Sequence, residues 1–133
     1  MIKIANFTKV KIEQKSFSQV AKKVLKGENR VRESLSLAFV TKDQIKELNK
    51  KFRNKNKPTD ILSFEITEKE YLGEIVICPE IVEKNAKKYG IEKSQEMEKV
   101  FIHGILHLCG YDHEKSKKDD KIMELKQDFY LIK

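Results

Sequence analysis

The chain of 133 residues is 39% hydrophobic and 37% charged, with 28 Lys and Arg against 21 Asp and Glu and a formal net charge of +7. No apolar run reaches the length of a membrane-spanning helix and two cysteines make no disulfide framework, which sets aside a helical membrane protein and a stapled secreted module. The start, Met1-Ile2-Lys3-Ile4-Ala5-Asn6-Phe7, lacks a secretory apolar region, so a cytoplasmic protein of one domain, residues 1–133, is expected. The positive balance favours polyanionic partners through counterion release, although a lysine-rich background produces the same charge without nucleic acid.

In chain order, Ile2 and Ile4 alternate within residues 1–6 and predict a first strand. From Ser16, residues Phe17, Val20, Ala21, Val24 and Leu25 recur at helical spacing, with Gly27 near the end. Leu35, Leu37 and Phe39 alternate with Ser34, Ser36 and Ala38 as a second strand. Thr41-Lys42-Asp43-Gln44 has the form of a capping box, and Ile45, Leu48 and Phe52 are expected as the buried stripe of the helix it opens. Arg53-Asn54-Lys55-Asn56-Lys57-Pro58-Thr59-Asp60 breaks the periodicity as a basic loop, followed by strands at residues 61–66 and 73–78. Pro79 opens a helix ending at Gly90, and Ser94 is expected to cap the next, which runs through Met97, Val100, Phe101, Ile105 and Leu108. That helix is apolar around most of its circumference and is expected as the buried central element. Ser116, with Asp119 and Asp120, opens a last helix buried through Ile122, Leu125 and Phe129. The sum is an α+β domain with about five helices on a four-stranded mixed sheet.

All three histidines fall in one short window, His103-Gly104-Ile105-Leu106-His107-Leu108-Cys109-Gly110-Tyr111-Asp112-His113. On a helix, His103 and His107 share one face a turn apart. Gly110 can then end the helix in a left-handed turn and bring His113 back to the same point. Three neutral imidazoles at one locus hold an open zinc site, its fourth position left for water or substrate. Taken singly, each is as readily a satisfied core histidine. Cys109 is near enough in sequence to be a fourth ligand, which would make the metal structural; as a buried thiol, like Cys78, it needs no such role. Asp112 can orient an imidazole or simply serve as a turn residue, and Asp60 after Pro58-Thr59 reads as a turn or cap.

Zinc proteases with H-E-x-x-H-x-x-G-x-x-H share the three histidines and the glycine, but Gly104 stands where their glutamate would be. General base catalysis by such a group supplies roughly 10² to 10⁴-fold, so a peptidase is disfavoured. Gly104 points instead to close backbone packing or to room beside the metal. Phosphodiester cleavage suffers less, because an RNA 2′-hydroxyl can act as internal nucleophile. It needs positive charge where charge develops, and Arg53, in a loop with Lys55 and Lys57, offers a planar fork for phosphate. Equally, Arg53 can serve the C-terminus of the helix before it.

These segments together resemble the YbeY family of bacterial ribosomal-RNA maturation factors. The likeness rests on H-G-x-L-H-L-x-G-Y-D-H from His103 to His113, on Leu48-Asn49-Lys50-Lys51-Phe52-Arg53, on Lys57-Pro58-Thr59-Asp60-Ile61-Leu62-Ser63-Phe64, and on Leu72-Gly73-Glu74-Ile75-Val76-Ile77. The resemblance implies a zinc-dependent, single-strand-specific endoribonuclease that processes the 3′ end of small-subunit (16S) ribosomal RNA and takes part in ribosome quality control. It implies one zinc ion on His103, His107 and His113, and Arg53 as the catalytic residue contacting RNA. Lys55 and Lys57 are expected to bind RNA, and Ser63 and Phe64 to face the cleft and the core respectively. The chain departs from the family pattern at Asn54, where glycine is usual, at Glu74, where aspartate follows the glycine, and at Cys78, where serine is usual. Asn54 suggests a different loop conformation beside Arg53, and Glu74 leaves the part of its carboxylate open.

Two further readings stand beside this one. A ribosome-associated assembly factor with structural zinc would bind RNA without cutting it, as the missing base at Gly104 permits. A metallohydrolase for another substrate, such as a peptide, is the third. Three imidazoles also accept nickel, copper or cobalt, so zinc is expected from availability and resemblance.

Overall fold

Strict alternation of Leu35, Leu37 and Phe39 with Ser34, Ser36 and Ala38 gives their strand one buried face, while the sheet as a whole buries residues on both of its faces. The computed structural model describes residues 2–111 and 117–131. Strands β1 (Ile2–Asn6), β2 (Ser34–Phe39), β3 (Ile61–Glu68) and β4 (Tyr71–Ile77) form one sheet in the order β1-β2-β4-β3. The β1–β2 and β2–β4 pairs are parallel, and β3 lies antiparallel to β4 at the sheet edge. Leu35, Leu37, Phe39, Ile75 and Ile77 point into the larger core, whereas Leu62 and Val76 point into a smaller cluster on the opposite face.

Five helices accompany the sheet: α1 (Gln14–Gly27), α2 (Lys42–Arg53), α3 (Pro79–Tyr89), α4 (Lys93–Leu108) and α5 (Lys117–Leu131). This is the α+β architecture expected. Helix α4 is the central element: Val100, Phe101, Ile102, Ile105, Leu106 and Leu108 are all buried, each contributing about 1.5–3 kcal/mol of hydrophobic stabilisation. The capping box at Thr41 forms as read, with Thr41 N–H donating to Gln44 Oε1 at 2.9 Å and Gln44 N–H to Thr41 Oγ1 at 3.2 Å. Pro79 occupies the first turn of α3, and Gly90 ends that helix at φ +67°.

Several expectations need correction. Helix α1 begins at Gln14 rather than Ser16, and α4 begins at Lys93, with Glu92 and not Ser94 at the cap position. The buried stripe of α5 is Met123, Gln127 and Tyr130. Leu125 and Phe129, expected inside, are 60% and 68% exposed. The helix is rotated so that two polar-tipped residues face inward, because each finds a hydrogen-bond partner there. Phe52 is 55% exposed: the smaller apolar cluster takes in Ile45 and Leu48, whereas Phe52 touches only its margin, edge-on to Phe64. Ser116 lies outside the described residues.

Candidate active site

The end of α4 carries the histidine pair. The helix terminates in a two-bond turn: Gly110 N–H donates to the His107 carbonyl and Tyr111 N–H to the Leu106 carbonyl, both at 3.1 Å. This turn places Gly110 at φ +105°, a conformation that glycine adopts without strain. His103 and His107, both half-buried, sit on successive turns of the same face. His113 and Asp112 lie outside the described residues. Among those described, no group of three His, Cys, Asp or Glu side chains forms a ligand set.

His103 Nδ1 lies 2.9 Å from Gln127 Oε1, reached across the α4–α5 contact. An amide oxygen only accepts, so Nδ1 carries the proton and Nε2 is the nitrogen with a lone pair in the neutral ring. Metal-ligating histidines are held in this way, the ring N–H opposite the ligating atom fixed by a buried acceptor. The imidazole pair, with one tautomer set from behind, fits a divalent transition ion. Gln127 is buried and was not found from sequence, since nothing in the α5 pattern distinguishes it from a surface glutamine.

Gly104 has a packing explanation. A Cβ there would come within 2.8 Å of Ile61 Cδ1, 3.2 Å of Ile75 Cδ1 and 3.3 Å of Ser63 Oγ. Position 104 therefore faces β3 and β4 closely enough that any side chain there, the metalloprotease glutamate included, would have to displace Ile61 and crowd Ile75 and Ser63.

Arg53 ends α2, on the other side of the sheet, and bends over the edge strand. Its Nη2 donates to the Ser63 carbonyl at 2.7 Å, and Cζ lies 5.7 Å from the centre of the Phe64 ring. Edge strands leave such acceptors for partners outside the sheet. Asn54 follows at φ +58°, ψ +33°, the left-handed conformation a glycine would supply, and asparagine tolerates it better than most residues. Asn49 is buried in the same helix and donates from Nδ2 to the Lys57 carbonyl at 2.9 Å, pinning the basic loop; sequence reading missed it too.

Arg53 and His107 meet in one cavity of about 330 Å³, lined also by Phe52, Ser63, Phe64, Glu65 and Leu108. Ser63 thus faces the cleft as expected. Phe64 does more than face the core, since it lines the cavity and packs edge-on against Phe52. Glu65 is the carboxylate of this lining and was not singled out by sequence. Lys55 and Lys57 are exposed and do not line the cavity, nor does Glu74, which is the exposed cross-strand neighbour of Phe64. A larger groove of about 1140 Å³ between α1 and the start of α4 holds none of the expected site residues.

Behind the histidine turn, Glu28 ties three elements together. Its carboxylate accepts from Tyr111 Oη at 2.7 Å, from Lys126 Nζ at 3.1 Å and from Tyr130 Oη. Burial alone would push this carboxyl up; the two hydroxyls and the ammonium outweigh it and hold it below the ordinary value. Cys109 sits on this side, with Arg30 donating to its carbonyl at 3.2 Å, and burial pushes its thiol up to about 11. Cys78 is fully buried beneath α3, its thiol also raised by burial. Asp60 lies just before β3, and its carbonyl accepts from Cys78 N–H at 2.9 Å, continuing the pairing of β3 with β4 by one residue.

An α+β domain whose central helix brings an imidazole to an arginine-lined cavity at a sheet edge belongs to the class of nuclease hydrolases, as comparison with known proteins shows. The profile of the family described as Endoribonuclease YbeY matches residues 3–133, and the chain belongs to that family. It is 48% identical over 132 residues to a protein of Thermotoga neapolitana named Endoribonuclease YbeY, covering 98% of this chain and 87% of the relative. A protein of the same name from Persephonella marina is 38% identical over 123 residues, covering 88% and 80%. The solution structure of a Thermotoga maritima protein superposes with a TM-score of 0.76 at 39% identity, over 98% of this chain and 87% of that one. Among the described residues, no helix is long and apolar enough to cross a membrane.

Proposed function

We propose that the chain is a metal-dependent, single-strand-specific endoribonuclease acting in 3′-end maturation of small-subunit ribosomal RNA. The observation that carries this reading is the shared cavity of His107 and Arg53, which belong to helices on opposite faces of the sheet. His103 and His107, with His113, would hold one zinc ion. When bound, the ion supplies Lewis-acid stabilisation of charge developing on the phosphate.

The remaining chemistry belongs to the chain's own groups. The bond to Ser63 and the ring of Phe64 fix the plane of the Arg53 guanidinium, leaving its other donors for a phosphate oxygen. Because these groups are positioned before substrate arrives, they stabilise charge without reorganising. Glu65 offers the cavity a proton acceptor, which Gly104 does not. Lys55 and Lys57 flank the site as exposed cations able to track the RNA backbone, and association with the ribosomal small subunit and a part in ribosome quality control in the cytoplasm follow from the same reading. The assembly-factor alternative rested on the missing base at Gly104. Packing against Ile61 and Ile75 accounts for that glycine, so it no longer favours a non-catalytic role.

The test is metal content together with cleavage. The purified chain is expected to carry about one zinc, lost in His103→Ala and His107→Ala, and to cut an unstructured RNA spanning the small-subunit 3′ end but not its duplex. Full metal loading in both variants would remove the assigned ligands.

A further inference from the structure

An exposed phenylalanine beside a catalytic arginine needs an explanation. Phe52 leaves 55% of its surface in water, at a position where the helical pattern calls for burial. Its ring stands edge-on to Phe64 with centroids 5.3 Å apart at 67°, and Lys51 Nζ lies 5.4 Å from its centre. Both rings line the cavity that holds Arg53 and His107. Of the large apolar side chains exposed on this protein, which also include Phe7, Tyr89, Leu125 and Phe129, Phe52 alone among the described residues lines this cavity.

We infer that Phe52, backed by Phe64, is a stacking platform for a nucleobase of single-stranded RNA next to the phosphate held by Arg53. The inference deepens the proposed function and rests on it for the identity of the polymer. Three features favour a nucleobase over an apolar protein segment. The surroundings are cationic on balance, with Lys51 Nζ over the ring and Arg53 in the same cavity against the single carboxylate of Glu65, and with Lys50, Lys55 and Lys57 exposed nearby in the sequence, so an occupant that brings negative charge with a flat apolar face is favoured. Aromatic faces interleaved with lysine and arginine are how proteins grip single strands, the base stacking on the ring while the cations follow the backbone. Finally, Phe52 keeps 55% of its surface exposed although it touches Phe64 and Lys51, so ring surface remains open to stack. In a duplex the bases remain stacked on one another, so the platform also supplies a physical reason for single-strand preference.

The chain contains no tryptophan, so Phe52→Trp places a unique fluorophore at the platform. Titration with a short unstructured RNA is expected to quench its emission, while the duplex of the same sequence leaves it unchanged. Phe52→Ala is expected to weaken binding of that RNA about tenfold, Phe52→Trp to keep wild-type affinity, and Leu125→Ala, exposed on α5 away from the cavity, to have no effect. Thermal melting of Phe52→Ala checks that the fold is intact. An abasic nucleotide at the stacked position should cost the wild type the same factor and cost Phe52→Ala nothing more. Wild-type affinity in Phe52→Ala, or unquenched emission of Phe52→Trp at saturating RNA, overturns the inference. Binding is read without cleavage: quenching in a protein that cuts no RNA would uphold the platform and sink the nuclease reading, and the converse would do the reverse.

Discussion

Gln127 contributes one hydrogen bond, and that bond favours the His103 tautomer with its proton on Nδ1. Removing it frees the imidazole to rotate and to change tautomer, each at the expense of ordered ligation. Gln127→Leu, close in volume and unable to accept, is expected to weaken zinc affinity by about 10- to 100-fold in chelator competition, with Gln127→Glu retaining it. The absorption of a cobalt-substituted protein offers a second readout independent of turnover. Unchanged affinity in Gln127→Leu would reduce the bond to a packing detail. At this scale the sequence was legible where spacing decides position: His103 and His107 on one face of a helix, and the Gly110 stop after it, are where spacing puts them. Gln127 and Asn49 were not legible, because each acts through a partner outside its own helix, and Glu65 was not, because only the fold brings it to the cavity. Phe52 was misread for a simple reason, since helical spacing reports a face but not where the covering layer ends.

Helix α4 shows what an all-round apolar pattern costs and permits. It is buried on the sheet side by Gly104, which allows close approach to Ile61 and Ile75, and elsewhere by α1, α3 and α5. One acid is trapped in it. Glu96 is 5% exposed, and its Oε1 has no hydrogen-bond partner among the described residues. Burial pushes its carboxyl above the ordinary value, with Asp60 adding to the rise and Lys99 opposing it. The neutral form is therefore favoured by folding: its contribution is complete below the ordinary carboxyl pKa and is lost as pH rises through the raised folded one. Glu96→Gln is expected to be more stable than the parent by on the order of 1 kcal/mol near neutral pH and equal to it in acid, measured by urea unfolding across that range. An advantage that grows on acidification would contradict this. The amphipathic reading succeeded for α1 and the first turns of α2, whose apolar residues are true core. It failed for α5, where Leu125 and Phe129 face solvent while Tyr130 turns inward to Glu28 and Gln127 to His103. Polar side chains with buried partners outcompeted larger apolar ones, and the sequence pattern gives no sign of those partners.

Across the whole molecule, the sheet separates the groups that must cooperate and its edge reunites them. Helix α4 packs on one face and α2 against the cluster on the other, so Arg53 and His107 meet only because β3 is an edge strand that Arg53 can reach over. In the sheet β3 lies beyond the three parallel strands and forms that edge, running antiparallel to β4. The Glu28 hub serves the same end from behind, linking α1, the turn after α4 and α5 through Tyr111, Tyr130 and Lys126. The mixed sheet, five helices and central histidine helix followed from periodicity and composition, whereas the meeting of the two faces did not. The central claim is that this edge cavity cuts RNA. The most direct measurement is the single-turnover cleavage rate of an unstructured RNA by wild type, His107→Ala and Arg53→Ala, each purified in parallel, with and without a chelator. Both variants and the chelated wild type are expected to lose at least about tenfold in rate, Arg53→Ala while still binding zinc. Equal cleavage by all three proteins would place the activity elsewhere and contradict the assignment of this site.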